Sequence, residues 1–171
     1  MSSKDQNLSS GSKENLKSVE DFSFAIIVSD WNEDITYALR DECIATLKNN
    51  GAKEENIHLH HVPGSFELPM GARIALGQNK VHAAICLGCV IKGETAHDVY
   101  INQAVANGIM TLGLTTKTPV IFGVLTPNTK EQALDRAGGK YGNKGVEAAH
   151  TAIKMVHLNN PGHNSKKSIG Y

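Results

Sequence analysis

Four short apolar runs, each separated from the next by a segment of helical periodicity, constrain this chain more than any other feature. "FAIIVSD" (24–30) is compact and β-branched and predicts a buried strand. Apolar residues then recur four apart at Ile35, Leu39, Cys43 and Leu47, one stripe of a helix ending near Gly51. "IHLHHV" (57–62) alternates with period two and predicts a second strand, followed by a helix from about Phe66 to Leu76. "AAICLGCVI" (83–91) and "PVIFGVL" (119–125) predict strands three and four, with a long helix from about Ala96 to Leu112 between them. A short helix from near Glu131 to Ala137, a Gly-rich loop and a last helix from Val146 to about Leu158 complete the pattern.

Strands that alternate with helices need right-handed crossovers and a parallel sheet covered on both faces. The expected class is therefore α/β: a three-layer α/β/α sandwich, flavodoxin-like, around a central, mainly parallel four-stranded sheet. At 171 residues the chain suits one domain, expected over 21–158. Residues 1–20 and 159–171 are poor in apolar side chains and are expected to be flexible tails, disordered at the N-terminus. Lys plus Arg and Asp plus Glu each total 17, so no net charge draws the chain to nucleic acid or a membrane surface. Three cysteines, with no apolar leader before them, fit a reducing compartment, and the expected location is the cytoplasm. No stretch approaches membrane-spanning length.

Function is expected beyond the carboxyl ends of the strands, where open parallel sheets bind ligands. The segments there are "SDWN", "PGSFE", "KGET" and "TPNT", all rich in Gly, Pro or small polar residues. In "GCVIKGETAHDVY" (88–100), Thr95 and Asp98 have the spacing of a capping box. His97 then falls in the first helical turn, where the dipole disfavours imidazolium and leaves the ring able to accept a proton and return it. The free N–H groups of that turn, beside Gly93, suit a phosphate. Capping alone would explain the same residues equally well. Arg136 and Lys144 flank "AGGKYGN", whose glycines permit close backbone approach to a ligand, and a guanidinium suits bidentate phosphate binding. Trp31, the single tryptophan, lies in a loop where it can stack on a flat heterocycle. Phe66 and Phe122 are further stacking candidates, although Phe122 belongs by default to the core. Glu67 follows a Pro-Gly turn and can accept hydrogen bonds. Cys86 and Cys89 lie inside a strand with no second pair, and along a strand His58 and His60 share one face while His61 points away. Neither set makes a metal site.

"WN" after strand one, "VPGSFELP", "GCVIKGETAHDVY", "PVIFGVLT" and "EQALDRAGGKYGNKGVEAA" resemble, in order and spacing, the lumazine synthases of riboflavin biosynthesis. The resemblance spans nearly the whole expected domain. It implies a transferase that condenses 5-amino-6-(D-ribitylamino)uracil with 3,4-dihydroxy-2-butanone 4-phosphate. The products are 6,7-dimethyl-8-ribityllumazine, phosphate and water, and no metal or organic cofactor is required. By the same resemblance Trp31 stacks on the pyrimidine, and Ser65, Phe66 and Glu67 bind its ribityl chain. Cys89, Val90 and Ile91 line the ring pocket, Glu94 and Thr95 receive the phosphate, and His97 moves protons. Phe122, Arg136 and Lys144 come from the neighbouring subunit, with Arg136 on the phosphate.

The chain departs from the family pattern after His97, at Trp31 and in its two long tails. Asp98 and Val99 follow His97 where an aromatic residue and then an acid are usual. Trp31 replaces a commoner phenylalanine and resembles the members that also hold riboflavin. The resemblance also implies a pentamer built through the helix from Ala96 to Leu112. The short spacing from Arg136 to Lys144 resembles members that assemble twelve pentamers into an icosahedral, capsid-like shell of sixty subunits, with riboflavin synthase a functional partner. The alternatives are a flavin- or phosphate-binding module without catalysis, and a pure scaffold protein.

Overall fold

The structure, a computed structural model, describes residues 16–161. Strands β1 (Phe24–Ser29), β2 (Ile57–Val62), β3 (Ala83–Cys89) and β4 (Val120–Leu125) form one sheet in the order β2-β1-β3-β4, every pairing parallel. Helices α1 (Glu33–Asn49), α2 (Leu68–Gln78) and α3 (His97–Thr116) connect them, and α4 (Lys130–Asp135) and α5 (Lys144–Asn159) follow β4. This is the expected three-layer sandwich.

The two central strands explain why the apolar runs are continuous rather than alternating. Every residue of β1 and β3 is buried, because both faces of the sheet are covered. Phe24, Ile26, Val28, Ile85 and Leu87 pack under α1 and α5, while Ala25, Ile27, Ala84 and Cys86 pack under α2 and α3. Each fully buried Ile, Leu or Phe contributes about 1.5–3 kcal/mol relative to exposure. The split of helices between faces follows from the strand order. From β1 the chain steps one way to β2, then back past β1 to β3 and on to β4. With crossovers of one hand, reversing direction moves the connecting helix to the other face. The chain thus leaves neighbours β1 and β3 toward opposite faces, which opens a crevice between their carboxyl ends.

The start of α5 is fixed from two directions. Asn143 Oδ1 accepts the Gly145 N–H (2.7 Å), while its Nδ2 donates to the Ala38 carbonyl of α1 (3.2 Å). Gly145 lies directly against the Leu39 carbonyl, leaving no room for a Cβ. Lys144 and Glu147, in the first turn of α5, are therefore held rigidly.

Several expectations need correction. The capping box does not form: α3 begins at His97 with Ala96 at its cap position and no side-chain cap bond. Asp98 is then only the second helical residue, too early to reach back, and Thr95 Oγ1 lies 3.4 Å from the His97 N–H. "AGGKYGN" is not a loose loop but a hairpin of β5 (Ala137–Gly139) and β6 (Gly142–Asn143). Its Gly138 (φ 115) and Gly142 (φ 83) occupy backbone conformations that side chains rarely tolerate, so these glycines build the hairpin itself. Helix α2 starts later than expected, after a 3-10 turn over Ser65–Glu67. Packing also involves a residue before 21. Val19 is fully buried, and its N–H donates to Asn50 O (2.9 Å) at the end of α1. At the other end, Asn159 belongs to α5. The remainder of both expected tails, 1–15 and 162–171, lies outside the described residues.

Candidate active site

A cavity of about 460 Å³ occupies the crevice between β1 and β3. Its walls come from three of the four expected segments. Trp31 and Asn32 lie beyond β1, Gly64 to Glu67 beyond β2, and Cys89, the last residue of β3, is joined by Val90, Ile91 and Gly93 after it. Thr95, His97, Asp98 and Ile101 from the start of α3 complete it. The fourth segment, "TPNT", does not line the cavity. Its Thr129 instead caps α4 by accepting the Gln132 N–H.

Each wall has a distinct chemistry. The Trp31 indole is 74% exposed, an aromatic face that no core packing covers. Its backbone is tied to the β2 side, with Trp31 N–H donating to Pro63 O (3.1 Å) and Asp30 N–H to Val62 O (2.8 Å). The Asp30 carboxylate beside it accepts from His61 Nδ1 (2.7 Å) and from the Tyr37 hydroxyl (2.9 Å), which hold it below the usual carboxylate range. The Arg40 guanidinium covers the Tyr37 ring at 4.2 Å. His61 thus serves this network, while His58 bonds Ser23 on another face.

Across the cavity, Ser65 is only 6% exposed and its hydroxyl has no partner among the described residues. A buried hydroxyl left unpaired is costly, and this one belongs to a residue that lines the cavity. The neighbouring backbone is crowded: a Cβ at Gly88 would stand 2.6 Å from Ser65 Oγ and 2.8 Å from Leu68 Cδ1. Glycine at 88 is what lets Ser65 sit against the end of β3. The Cys89 thiol is pushed up to about 12, first by burial and then by the negative charge of Asp34. It stays a neutral, apolar wall group at physiological pH.

At the far end the polypeptide turns into α3 through Gly93 to Ala96. Among the described residues, the Glu94 and Thr95 N–H groups donate no hydrogen bond. They lie at the positive end of a helix of 20 residues, where an anion is favoured. His97 is exposed, lines the cavity and makes no side-chain hydrogen bond within the described residues.

Phe122, Arg136 and Lys144 stand apart from all of this. Phe122 is exposed on β4, the outer strand, and with Lys144 lines a separate groove of about 370 Å³ between α3 and α5. Arg136 Nη1 donates to Tyr141 O (2.9 Å) and its Nη2 pairs with Glu147 (2.7 Å). Glu147 also holds Lys144 Nζ (3.1 Å). None of the three lines the larger cavity of their own chain.

The residues 21–160 match the family described as 6,7-dimethyl-8-ribityllumazine synthase. The chain belongs to that family. Proteins of that name are similar over most of its length. The one from Bacteroides fragilis (strain YCH46) is 54% identical over 133 residues, covering 78% of this chain and 93% of the relative. That of Cytophaga hutchinsonii is 51% identical over 156 residues, covering 91% and 98%. That of Phocaeicola vulgatus is 46% identical over 150 residues, covering 88% and 89%.

For a lumazine synthase family member, two residues missing from the sequence reading are Asn32 and Glu147. Glu147 stands three after Lys144 on α5, a spacing that puts both on one helix face and was the available signal. Asn32 stands in the quoted "WN" pair, but its bond crosses to another strand, so no local spacing signals its role.

Proposed function

We propose that this chain condenses 5-amino-6-(D-ribitylamino)uracil with 3,4-dihydroxy-2-butanone 4-phosphate, giving 6,7-dimethyl-8-ribityllumazine, phosphate and water. One observation carries the reading. A single cavity is lined by an uncovered indole, by Ser65 with its unpaired buried hydroxyl, and by a helix start with unused N–H groups and an imidazole. A flat heterocycle stacks on Trp31 between it and Cys89, Val90 and Ile91. Its polyol chain runs to Ser65 and Glu67, beside Phe66. The phosphate of the second substrate sits on the N–H groups of Glu94 and Thr95.

The chemistry asks little beyond this. The amine attacks the ketone, the carbinolamine loses water, phosphate leaves, and the ring closes with a second dehydration. No metal or organic cofactor enters. Holding both reactants in one cavity supplies much of the acceleration, and His97 moves protons between steps. Because nothing among the described residues orients the His97 ring, His97→Ala is expected to slow turnover roughly tenfold, below the usual range for an acid–base group. Steady-state rates with saturating substrates test this, and complete loss of turnover would contradict it.

Completion of the site calls for a second copy. The cavity with Trp31 and His97, and the surface with Phe122, Arg136 and Lys144, are different faces of one chain. Joining one face to the other is a heterologous contact, which closes into a ring. Tyr100, Met110 and Leu114 on α3 are exposed apolar side chains suited to burial in such a contact. The ring is a pentamer, and the direct eight-residue step from Arg136 to Lys144 favours the shell of sixty chains. Among the described residues no helix is long and apolar enough to cross a membrane, and we place the enzyme in the cytoplasm, with riboflavin synthase using its product. Mixing the purified protein with both substrates should produce the fluorescent lumazine. Absence of product from active substrates would sink the assignment, and light scattering on the same sample separates a shell from a lone pentamer.

A further inference from the structure

One side-chain hydrogen bond crosses the crevice between β1 and β3. Asn32 Nδ2 donates to the carbonyl of Cys89 at 3.1 Å. Asn32 occupies the cap position of α1, where an asparagine side chain ordinarily accepts an N–H of its own helix. It makes no such bond here. Its backbone carbonyl alone serves α1, accepting from the Ile35 and Thr36 N–H groups and from the Thr36 hydroxyl. The residue also adopts a left-handed backbone (φ 63, ψ 47), a conformation asparagine tolerates better than most but still at a cost. Two local preferences are thus given up in favour of a bond to another strand.

We propose that Asn32 is a positioning residue for the pyrimidine substrate, acting through the Cys89 carbonyl and the Trp31 backbone. This rests on the site reading above. The turn carrying Trp31 is fastened to β2 by the Asp30 and Trp31 N–H groups. Among the described residues, the Asn32 amide is its one hydrogen bond to the β3 side. Since the indole itself is uncovered, the backbone of this turn decides where the ring stands. A flat heterocycle needs contact at about 3.5–4 Å on each side, so a small drift of the turn loses one of its two faces. The Cys89 carbonyl can only accept, which forces the amide to turn its NH2 group toward it and fixes the side chain in one orientation. The tether therefore sets the width of the slot between Trp31 and the wall formed by Cys89, Val90 and Ile91.

Trp31 is the single tryptophan, so intrinsic fluorescence reads this turn directly. Asn32→Gly keeps the left-handed backbone accessible and removes the tether together with the amide's part of the cavity wall. Asn32→Asp keeps the shape but faces the Cys89 carbonyl with an acceptor. Fluorescence titration of the assembled protein with the ribitylaminouracil should show binding weakened about five- to tenfold in Asn32→Gly, the effect of one neutral hydrogen bond. Asn32→Asp should lose at least as much. The KM for butanone phosphate and the thermal midpoint of Asn32→Gly should match the wild type, and its free-state Trp31 anisotropy should be lower. Unchanged pyrimidine affinity in Asn32→Gly would overturn the proposal. So would equal losses for both substrates or a lowered melting point, which are marks of a merely structural role. A wild-type protein that fails to bind the pyrimidine would remove the functional reading and this inference together, whereas an unaltered Asn32→Gly removes the inference alone.

Discussion

Arg136→Ala is expected to lower kcat/KM for 3,4-dihydroxy-2-butanone 4-phosphate by about a hundredfold or more, while pyrimidine binding stays within about twofold of wild type. A guanidinium on a phosphate makes two charge-assisted hydrogen bonds, each roughly twice as strong as a neutral one. Removing one preorganised donor from a developing anion costs about 10²–10³ in rate. The Arg136 guanidinium is held by a hydrogen bond from Nη1 to Tyr141 O and an ion pair of Nη2 with Glu147, so under the proposed role its remaining N–H groups would meet the phosphate with little reorganisation. Arg136→Lys should recover little, because an ammonium cannot keep both anchors and still present a fork. The measurement is a pair of titrations, one substrate varied at a time, with Trp31 fluorescence as the pyrimidine readout. Equal losses for both substrates would contradict the assigned role.

That expectation draws on residues of unequal legibility. The four strands were readable because β1 and β3 are buried on both faces and so carry unbroken apolar runs. The same rule misled at the end of β3. Val90 and Ile91 look like two more strand residues, but they are apolar because they wall a cavity. The candidate set around Trp31, Ser65, Glu67 and His97 could be proposed because parallel strands place the segments after them on one edge. Why "TPNT" drops out could not be read, since that depends on where α4 packs. Thr95 and Asp98 satisfied a capping pattern that the backbone does not use, because spacing says nothing about which residue starts the helix. Val19 stands between Leu16 and Phe22 in an otherwise polar segment, and its place in the core depends on packing with the rest of that cluster. Asn32 and Gly88 owe their roles to groups on other elements, Cys89 O in one case and Ser65 and Leu68 in the other. Long-range contacts of this kind leave no period to detect.

Glu147→Ala is expected to damage stability and phosphate use together, and by more than its position on a helix surface suggests. Its side chain is only 13% exposed, yet it faces two cations, Arg136 at 2.7 Å and Lys144 at 3.1 Å, themselves 23% and 26% exposed. Removing the shared anion leaves two positive charges close together and largely out of water. Breaking a buried pair by deleting one partner costs about 3–5 kcal/mol. The lower end applies here, because Tyr141 O still holds Arg136 and both cations retain some solvent. The melting point should therefore fall clearly, and more than for Lys144→Ala, which removes one cation and leaves the Arg136–Glu147 pair intact. Glu147→Gln separates charge from shape. It keeps an acceptor for one cation, so it should melt between the other two, yet it frees Arg136 to shift and should raise the KM for butanone phosphate. A Glu147→Gln protein with wild-type KM and a lowered melting point would show that Glu147 only neutralises charge. A protein with wild-type melting point and raised KM would show that orienting Arg136 is its main work. The geometry predicts both changes, because the same carboxylate that compensates the two cations also fixes the plane of the guanidinium.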